Sequence, residues 1–429
     1  MHFTLQEPPH SAFEFQIKKT DVDNFIAMQS TAKQLAALEG KHHHIKIDMT
    51  STKSKLKDKF VLILSKHAFT FIKYKSNEPK ETVLHIIDKS AFAWEQTLQR
   101  IHCGNIARSL ASEPANILYP KAFVARTQAL FKEFQNIVSI KVITGTQNLK
   151  KQKFGLIAAV GKGSSHEPCF MVIELQKQLG RERKEKTILL CGKGVCFDAG
   201  GVDLKSNSFG MHTDKTVAAI VVGLLHYFAQ KDTAFEGRIV GLIPLVENLN
   251  DGNSYKPNDI FTAYNGKTVE IVDTDAEGRL ILADALAYAT EQWKTPTAIL
   301  DFATLTHWSS TLFCDSSFTY YTCNDMLANK IEKASELVGE RIIRMPKWPE
   351  YATYTKSKVA DYKNAGYRCG DESSAGSGFM AAMFLSNFVP ERLQSKWVHL
   401  DITHAHRIGS ASISNANSFY TATELISKL

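Results

Sequence analysis

From about residue 137 to the C-terminus, short apolar runs alternate with longer stretches whose apolar residues recur at helical spacing. The alternation admits few folds. Strands fed one after another through covering helices build a mostly parallel sheet with helices on its faces. The runs 156–160, 187–191, 238–245, 298–304 and 396–402 read as buried strands, and 216–230, 279–292, 326–338 and 378–389 as helices. The run 156–160 is ambiguous, since Ala158 and Ala159 suit a helix equally. Upstream, residues 1–88 mix apolar runs (60–64, 69–72) with polar turns, which predicts a small α/β domain. Residues 89–111 carry Phe92, Trp94, Leu98, Ile101 and Ile106 at roughly helical spacing and read as a connector helix, broken by Ser112-Glu113-Pro114. The expected fold class is α/β: a small N-terminal domain, a connector, and a larger domain over 112–429 with a mostly parallel central sheet flanked by helices.

In such sheets ligands sit beyond the carboxyl ends of strands. Two Gly-containing segments fall there. One reads Gly192-Lys193-Gly194-Val195-Cys196-Phe197-Asp198-Ala199-Gly200-Gly201-Val202-Asp203-Leu204-Lys205, and the other Val272-Asp273-Thr274-Asp275-Ala276-Glu277-Gly278-Arg279-Leu280. Together they hold five carboxylates, two lysines and one arginine. Carboxylates this dense repel one another unless cations lie between them, which predicts a metal-dependent catalytic centre. Asp275 and Glu277, two apart in an extended segment, project to one side and can ligate neighbouring cations. Asp-x-Glu alone is commonly a solvated surface pair; the Lys193 segment is what changes the reading. A phosphate-binding turn fits poorly, because Gly-x-x-x-x-Gly-Lys-Ser/Thr is absent and the acids would repel phosphate.

Bulk properties bound the rest. The 429 residues suffice for two domains and a large core, and 44% hydrophobic content is ordinary for a soluble globular protein. No apolar run is long enough to cross a bilayer, and the N-terminus has no basic region followed by an apolar stretch. Seven cysteines, at 103, 169, 191, 196, 314, 323 and 369, include no Cys-x-x-Cys pair. They read as reduced thiols of a cytoplasmic protein with no membrane partner. The net charge of +7 is local: residues 41–80 hold ten lysines against Asp48, Asp58 and Glu78. A solvated face is the expected use, with nucleic-acid binding as a lesser alternative. His42-His43-His44 reads as a solvated turn, since three adjacent histidines cannot all face one ion in regular structure.

The two long motifs carry a resemblance. The chain resembles the leucine aminopeptidases (cytosol aminopeptidases), dimetal exopeptidases whose motifs read Gly-Lys-Gly-x-x-x-Asp-x-Gly-Gly-x-x-x-Lys and Asn-Thr-Asp-Ala-Glu-Gly-Arg. Both are present, with Asp273 in place of the Asn. Further matches are Glu113-Pro114-Ala115-Asn116, Val246-Glu247-Asn248, Asp301-Phe302-Ala303-Thr304-Leu305-Thr306 and Trp397-Val398-His399-Leu400-Asp401, so the likeness spans about residues 100–429. It implies that Lys193, Asp198, Asp214 and Glu277 hold one divalent cation and Asp198, Asp275 and Glu277 another, with Asp198 and Glu277 bridging. Oxygen ligands with one amine suit zinc, manganese, cobalt or magnesium; zinc and manganese are the expected pair of choices. The resemblance further implies that Lys205 polarises the scissile carbonyl, that Arg279 anchors a bicarbonate acting as general base, and that Met211, Thr304 and Leu305 contact the substrate. It implies release of apolar first residues from peptides by a homohexamer.

The chain departs from that pattern at two places. Lys215-Thr216-Val217 stands where Met-Gly-Gly is usual, after a loop about two residues shorter, which makes Asp214 the least secure ligand and Asp203 a weak rival. His307-Trp308 replaces a Gly-Ala pair and can narrow the first-residue pocket, rest on the surface, or supply His307 as an extra ligand. A non-catalytic paralogue kept as an assembly scaffold is the alternative these departures raise.

Overall fold

The computed structural model describes residues 2–9, 11–16, 25–39, 41, 43–76, 82–90, 92–177, 186–233, 235–346, 348–366, 377–403, 405–408 and 411–429. At its centre is a nine-stranded sheet. Four strands in its middle run parallel in the order Trp397–Asp401, Ala298–Ala303, Thr187–Gly192 and Gly237–Asn248. Every residue of Ala298–Ala303 and Thr187–Gly192 is buried, as expected for strands covered on both faces. The strand Gly237–Asn248 is twelve residues long. Its first half pairs with Thr187–Cys191 and its second half with Gly194–Asp198, also in parallel. Lys193 sits at the break between these two pairings.

The flanks turn antiparallel. Cys169–Lys177 pairs antiparallel with Gly237–Asn248 and with Val138–Thr144. On the other side Phe318–Tyr321 runs antiparallel to Trp397–Asp401. The predicted mostly parallel sheet therefore holds at the centre, where the site lies.

Helices cover both faces. The helix Thr216–Ala229 is buried along its whole length and packs against Trp94–Ser112, the helix expected over 89–111. Glu277–Gln292, Gly155–Gly161 and Ser377–Ser386 cover the opposite face. The run 156–160, read as a strand that suits a helix equally, is thus a helix. Asp284 decides it: this fully buried carboxylate accepts from the backbone N–H groups of Leu156 (2.9 Å) and Ile157 (3.0 Å), satisfying donors that open the helix, and from Tyr264 N–H (2.7 Å). Replacing Asp284 by Ala leaves three buried donors unpaired and should cost about 3 kcal/mol in urea unfolding. Metal content at low denaturant should not change, because Asp284 touches none of the acids below.

A second sheet, of four parallel strands, joins His2–Thr4, Val83–Ile87, His44–Asp48 and Phe13–Gln16. The apolar run 60–64 lies in the helix Ser54–His67 and is buried throughout. Two expectations need correction here. The lysine-rich segment is not one solvated face: Lys57 is 1% exposed and bonds Asp88 Oδ1 at 2.6 Å and Ser90 Oγ at 2.8 Å, and Lys66 reaches Glu340 at 2.5 Å. His44 is not in a turn but opens an inner strand, with Nδ1 3.0 Å from His85 Nε2, because alternate burial of Ile45 and Ile47 fixes that strand. His43 is exposed in a bend, and His42 lies outside the described residues. Six cysteines are described, all free; Cys369 lies outside. No helix among the described residues is long and apolar enough to cross a membrane.

Candidate metal centre

The acids expected from two distant segments converge. Asp198 ends its strand, Asp275 lies in the turn before the helix Glu277–Gln292, and Glu277 is that helix's first residue. One carboxylate oxygen from each falls within 4.8 Å of the others. Gly278 makes this approach possible: a Cβ there would stand 2.5 Å from Lys193 Cε. Gly200, at φ 91°, turns the chain just after Asp198 and donates its N–H back to Asp198 Oδ1 at 3.0 Å.

Asp214 joins through Lys193. Lys193 Nζ lies 2.8 Å from Asp214 Oδ2 and 2.8 Å from Glu277 Oε1, and donates to Thr304 O at 2.6 Å. Lys205 Nζ lies 3.0 Å from Asp198 Oδ2 and hydrogen-bonds Asp275. Arg279 is buried; its Nη1 donates to Asn364 O at 2.9 Å, and its Nε has no hydrogen-bond partner among the described residues. Asp203, the weak rival to Asp214, accepts through Oδ2 from Thr274 N at 2.9 Å.

The electrostatics follow from this crowding. Burial and then the Asp198 charge push Asp275 up to about 7 and Glu277 up to about 8. Burial raises Asp214 as well. Burial opposes the charge of Lys193, yet Asp214, Glu277 and Asp198 together hold it above its ordinary value, and Lys205 is raised in the same way by Asp198 and Asp275. Asp214 Oδ2 and Glu277 Oε1 are buried but accept no directed hydrogen bond from the described residues. Converging hard oxygens that repel one another and lack full hydrogen bonding fit divalent cations.

The other expected residues fall as follows. Thr304 Oγ1 donates to Asp214 Oδ1 at 2.6 Å, and Leu305 N to Asp401 Oδ1 at 3.0 Å. Met211 opens the short helix Met211–Lys215, partly exposed, with Sδ 4.0 Å from Arg407 Nη2. Trp308 packs edge-on to Phe379 (4.8 Å between centroids), while His307 is exposed and stands outside the acid cluster. Asp273, in the usual place of Asn, accepts from Asp275 N at 2.7 Å, a task that needs only an acceptor.

Sequence reading missed the residues that hold the turn. Asn364 Oδ1 accepts from Val272 N (2.8 Å) and its Nδ2 donates to Asp273 O (2.6 Å). Asn248 Nδ2 donates to Asp198 Oδ1 (2.8 Å) and Thr274 O (3.0 Å), and Tyr255 Oη to Thr274 O (2.6 Å). Only Asn248 gave a signal, inside the Val246-Glu247-Asn248 match.

The Cytosol aminopeptidase family catalytic-domain model matches residues 105–424. The chain belongs to the cytosol aminopeptidase family. A probable cytosol aminopeptidase of Sinorhizobium fredii (strain NBRC 101917 / NGR234) is 37% identical over 361 residues, 80% of this chain and 68% of that relative. One from Desulfovibrio desulfuricans (strain ATCC 27774 / DSM 6949 / MB) is 38% identical over 299 residues, covering 69% and 56%. The matched stretches thus span between about half and two thirds of these relatives' lengths. Among solved structures, a Caenorhabditis elegans leucine aminopeptidase superposes with TM-score 0.82 at 26% identity, covering 94% of this chain and 81% of that one. The bottromycin maturation enzyme BotP in complex with Mn superposes with TM-score 0.81 at 26% identity, covering 94% and 88%. Family, fold and acid cluster make this chain a metal-dependent aminopeptidase, a hydrolase of peptide bonds.

The family departure at Lys215 has a physical consequence. Lys215 is fully buried and donates to Glu113 O (2.8 Å) and His212 O (2.5 Å). Burial pushes its pKa down from 10.5 to about 8. Between those values the unfolded chain binds more protons than the folded one, so this contribution to stability rises with pH there, and the penalty is complete below pH 8. Lys215→Met should remove that slope, worth up to about 3 kcal/mol, in urea unfolding compared at pH 7.5 and 10.

Proposed function

We propose that the chain binds two divalent cations, zinc or manganese, and releases N-terminal amino acids, leucine and other apolar residues foremost, from peptides. Lys193, Asp198, Asp214 and Glu277 would hold one cation and Asp198, Asp275 and Glu277 the other. The observation that carries this reading is the convergence of Asp198, Asp275 and Glu277 within 4.8 Å, with both lysines paired into the cluster. Bound divalent cations supply Lewis acidity to the attacking water and to the scissile carbonyl.

The chain's own residues do the rest. Lys205 stays charged and donates to the carbonyl oxygen as negative charge develops there. Arg279, whose Nε has no hydrogen-bond partner among the described residues, anchors a bicarbonate through its planar fork and so orients the general base. Met211, Thr304 and Leu305 are the proposed contacts to the first residue. Thr304 acts partly through Asp214, to which its hydroxyl is bonded. A homohexamer in the cytoplasm, with residues 1–88 as a small domain, 89–111 as connector and 112–429 as catalytic domain, completes the proposal.

The test is hydrolysis of leucine-p-nitroanilide by metal-loaded protein, with metal content measured by mass spectrometry. Turnover with added manganese, lost on chelation, supports the reading. No turnover across a broad panel of aminoacyl substrates at full metal occupancy refutes it.

A further inference from the structure

The short helix Met211–Lys215 brings a positive charge to the residues proposed to meet the substrate's first side chain. It is a 3-10 turn, in which residues three apart eclipse. Met211 therefore faces the same way as Asp214, the proposed cation ligand. Beside it stands Arg407, which the proposed mechanism does not use. Arg407 Nη2 lies 4.0 Å from Met211 Sδ and 3.4 Å from Gly210 O, and its Nε donates to Thr213 Oγ1 at 3.3 Å. Thr213 immediately precedes Asp214. A guanidinium thus borders the first-residue side of the metal centre.

This arginine is held from two directions. Its Nε also reaches His406 Nε2 at 3.3 Å. That ring is buried and donates through Nδ1 to Ile402 O at 3.3 Å, which makes Nε2 an acceptor for the guanidinium. On the backbone side, Arg407 is the register partner of Ser414, and its carbonyl accepts from Asn415 Nδ2 at 3.3 Å. Ser414 Oγ in turn accepts from Thr216 Oγ1 at 3.2 Å. Thr216 stands where the family pattern has glycine, so a departure of this chain helps to seat the strand that carries Arg407. Arg407 itself is only partly buried, which leaves its surface open to a ligand.

Charge selects among ligands here. With two divalent cations bound, the acids Asp198, Asp214, Asp275 and Glu277 are balanced, and Lys205 and Arg407 add positive charge. That field repels a basic first residue and is indifferent to an aliphatic one. A carboxylate on an aliphatic stem can lay the stem along Met211 and meet the planar fork of the guanidinium.

We propose that Arg407 is a specificity-determining residue, and that alongside apolar first residues the chain releases N-terminal glutamate. The proposal rests on the aminopeptidase reading and names a substrate class for the same site. The rival role for Arg407 is a clamp on Gly210 and Thr213, which would serve every substrate alike.

The test measures kcat/KM for glutamyl-, glutaminyl-, leucyl- and lysyl-p-nitroanilide with metal-loaded wild type, Arg407→Met and Arg407→Lys. The wild type should favour glutamyl over glutaminyl and turn over lysyl most slowly. A hydrogen bond to a charged partner is worth about ten- to a hundredfold. Arg407→Met should therefore lower glutamyl turnover by that factor relative to leucyl, and Arg407→Lys, which keeps the charge, should recover part of the ratio. A fall shared equally by all four substrates assigns Arg407 to the clamp and overturns the proposal, as does a wild type that prefers glutaminyl to glutamyl. Calorimetry with free L-glutamate and L-glutamine gives a readout independent of turnover. Glutamate should bind the metal-loaded wild type about tenfold tighter or more, and Arg407→Met should erase the difference; equal binding in the wild type overturns the proposal. Should the wild type hydrolyse none of the substrates, the aminopeptidase reading fails while the calorimetric ratio still decides this one.

Discussion

Glu277→Gln should strip the site of its cations and its activity together. The substitution keeps shape and hydrogen-bonding length but removes one of three carboxylates that converge within 4.8 Å. Losing a residue that merely orients a ligand costs about 10–100-fold in metal affinity or activity; losing a bridging ligand should exceed about a hundredfold. Mass-spectrometric metal content and leucine-p-nitroanilide turnover check both halves, and unchanged values would refute the bridging role. The cation-free proteins should show the opposite ranking. Folding raises the Glu277 pKa from 4.5 to about 8, so between those values the folded state holds more protons than the unfolded one and stability falls as pH rises. The Gln variant carries no such penalty. After chelation at pH 8–9 it should melt above the wild type, although it melts below it when cations are supplied.

Lys205→Ala should do the reverse, cutting turnover while leaving the cations bound. Lys205 lies 3.0 Å from Asp198 Oδ2 and also pairs with Asp275. Removing this positive charge strengthens the field those acids present to a cation. What is lost is a preorganised donor to the developing oxyanion, worth about 10²–10³ in kcat in comparable sites. Metal content at or above the wild-type value with kcat down by that factor is the expected outcome. Loss of metal would mean that Lys205 and Lys193 have each been given the other's task.

Much of this architecture was legible because it rests on long, unmixed signals. The strands Thr187–Gly192 and Ala298–Ala303 are buried on both faces, so their apolar runs are continuous. The helix Glu277–Gln292 begins within its motif, two residues before the start read from the sequence at 279. The run 156–160 failed because five apolar residues cannot distinguish a buried strand from a buried helix; the deciding group, Asp284, stands more than 120 residues away. The lysine-rich segment misled because charge in sequence says nothing about partners. Lys57 and Lys66 are neutralised by Asp88 and Glu340, distant in the chain. Within the candidate site, charged side chains were foreseen and amides were not. Asn364 shapes the turn through backbone groups of three residues, Val272, Asp273 and Ala276, and its own carbonyl accepts from Arg279 Nη1, yet a lone asparagine in a polar loop looks like any other.

Asp203 and Thr274 exchange hydrogen bonds in both directions, and Thr274 Oγ1 also reaches Gly200 O. The two segments that bear the acids are therefore fastened to each other directly, and would move as a single cassette rather than as two loops. Residues 215–217 and 307–308, where this chain leaves its family's pattern, contribute nothing to that fastening. Change at those two places therefore leaves the bonds that set the spacing of the acids as they were.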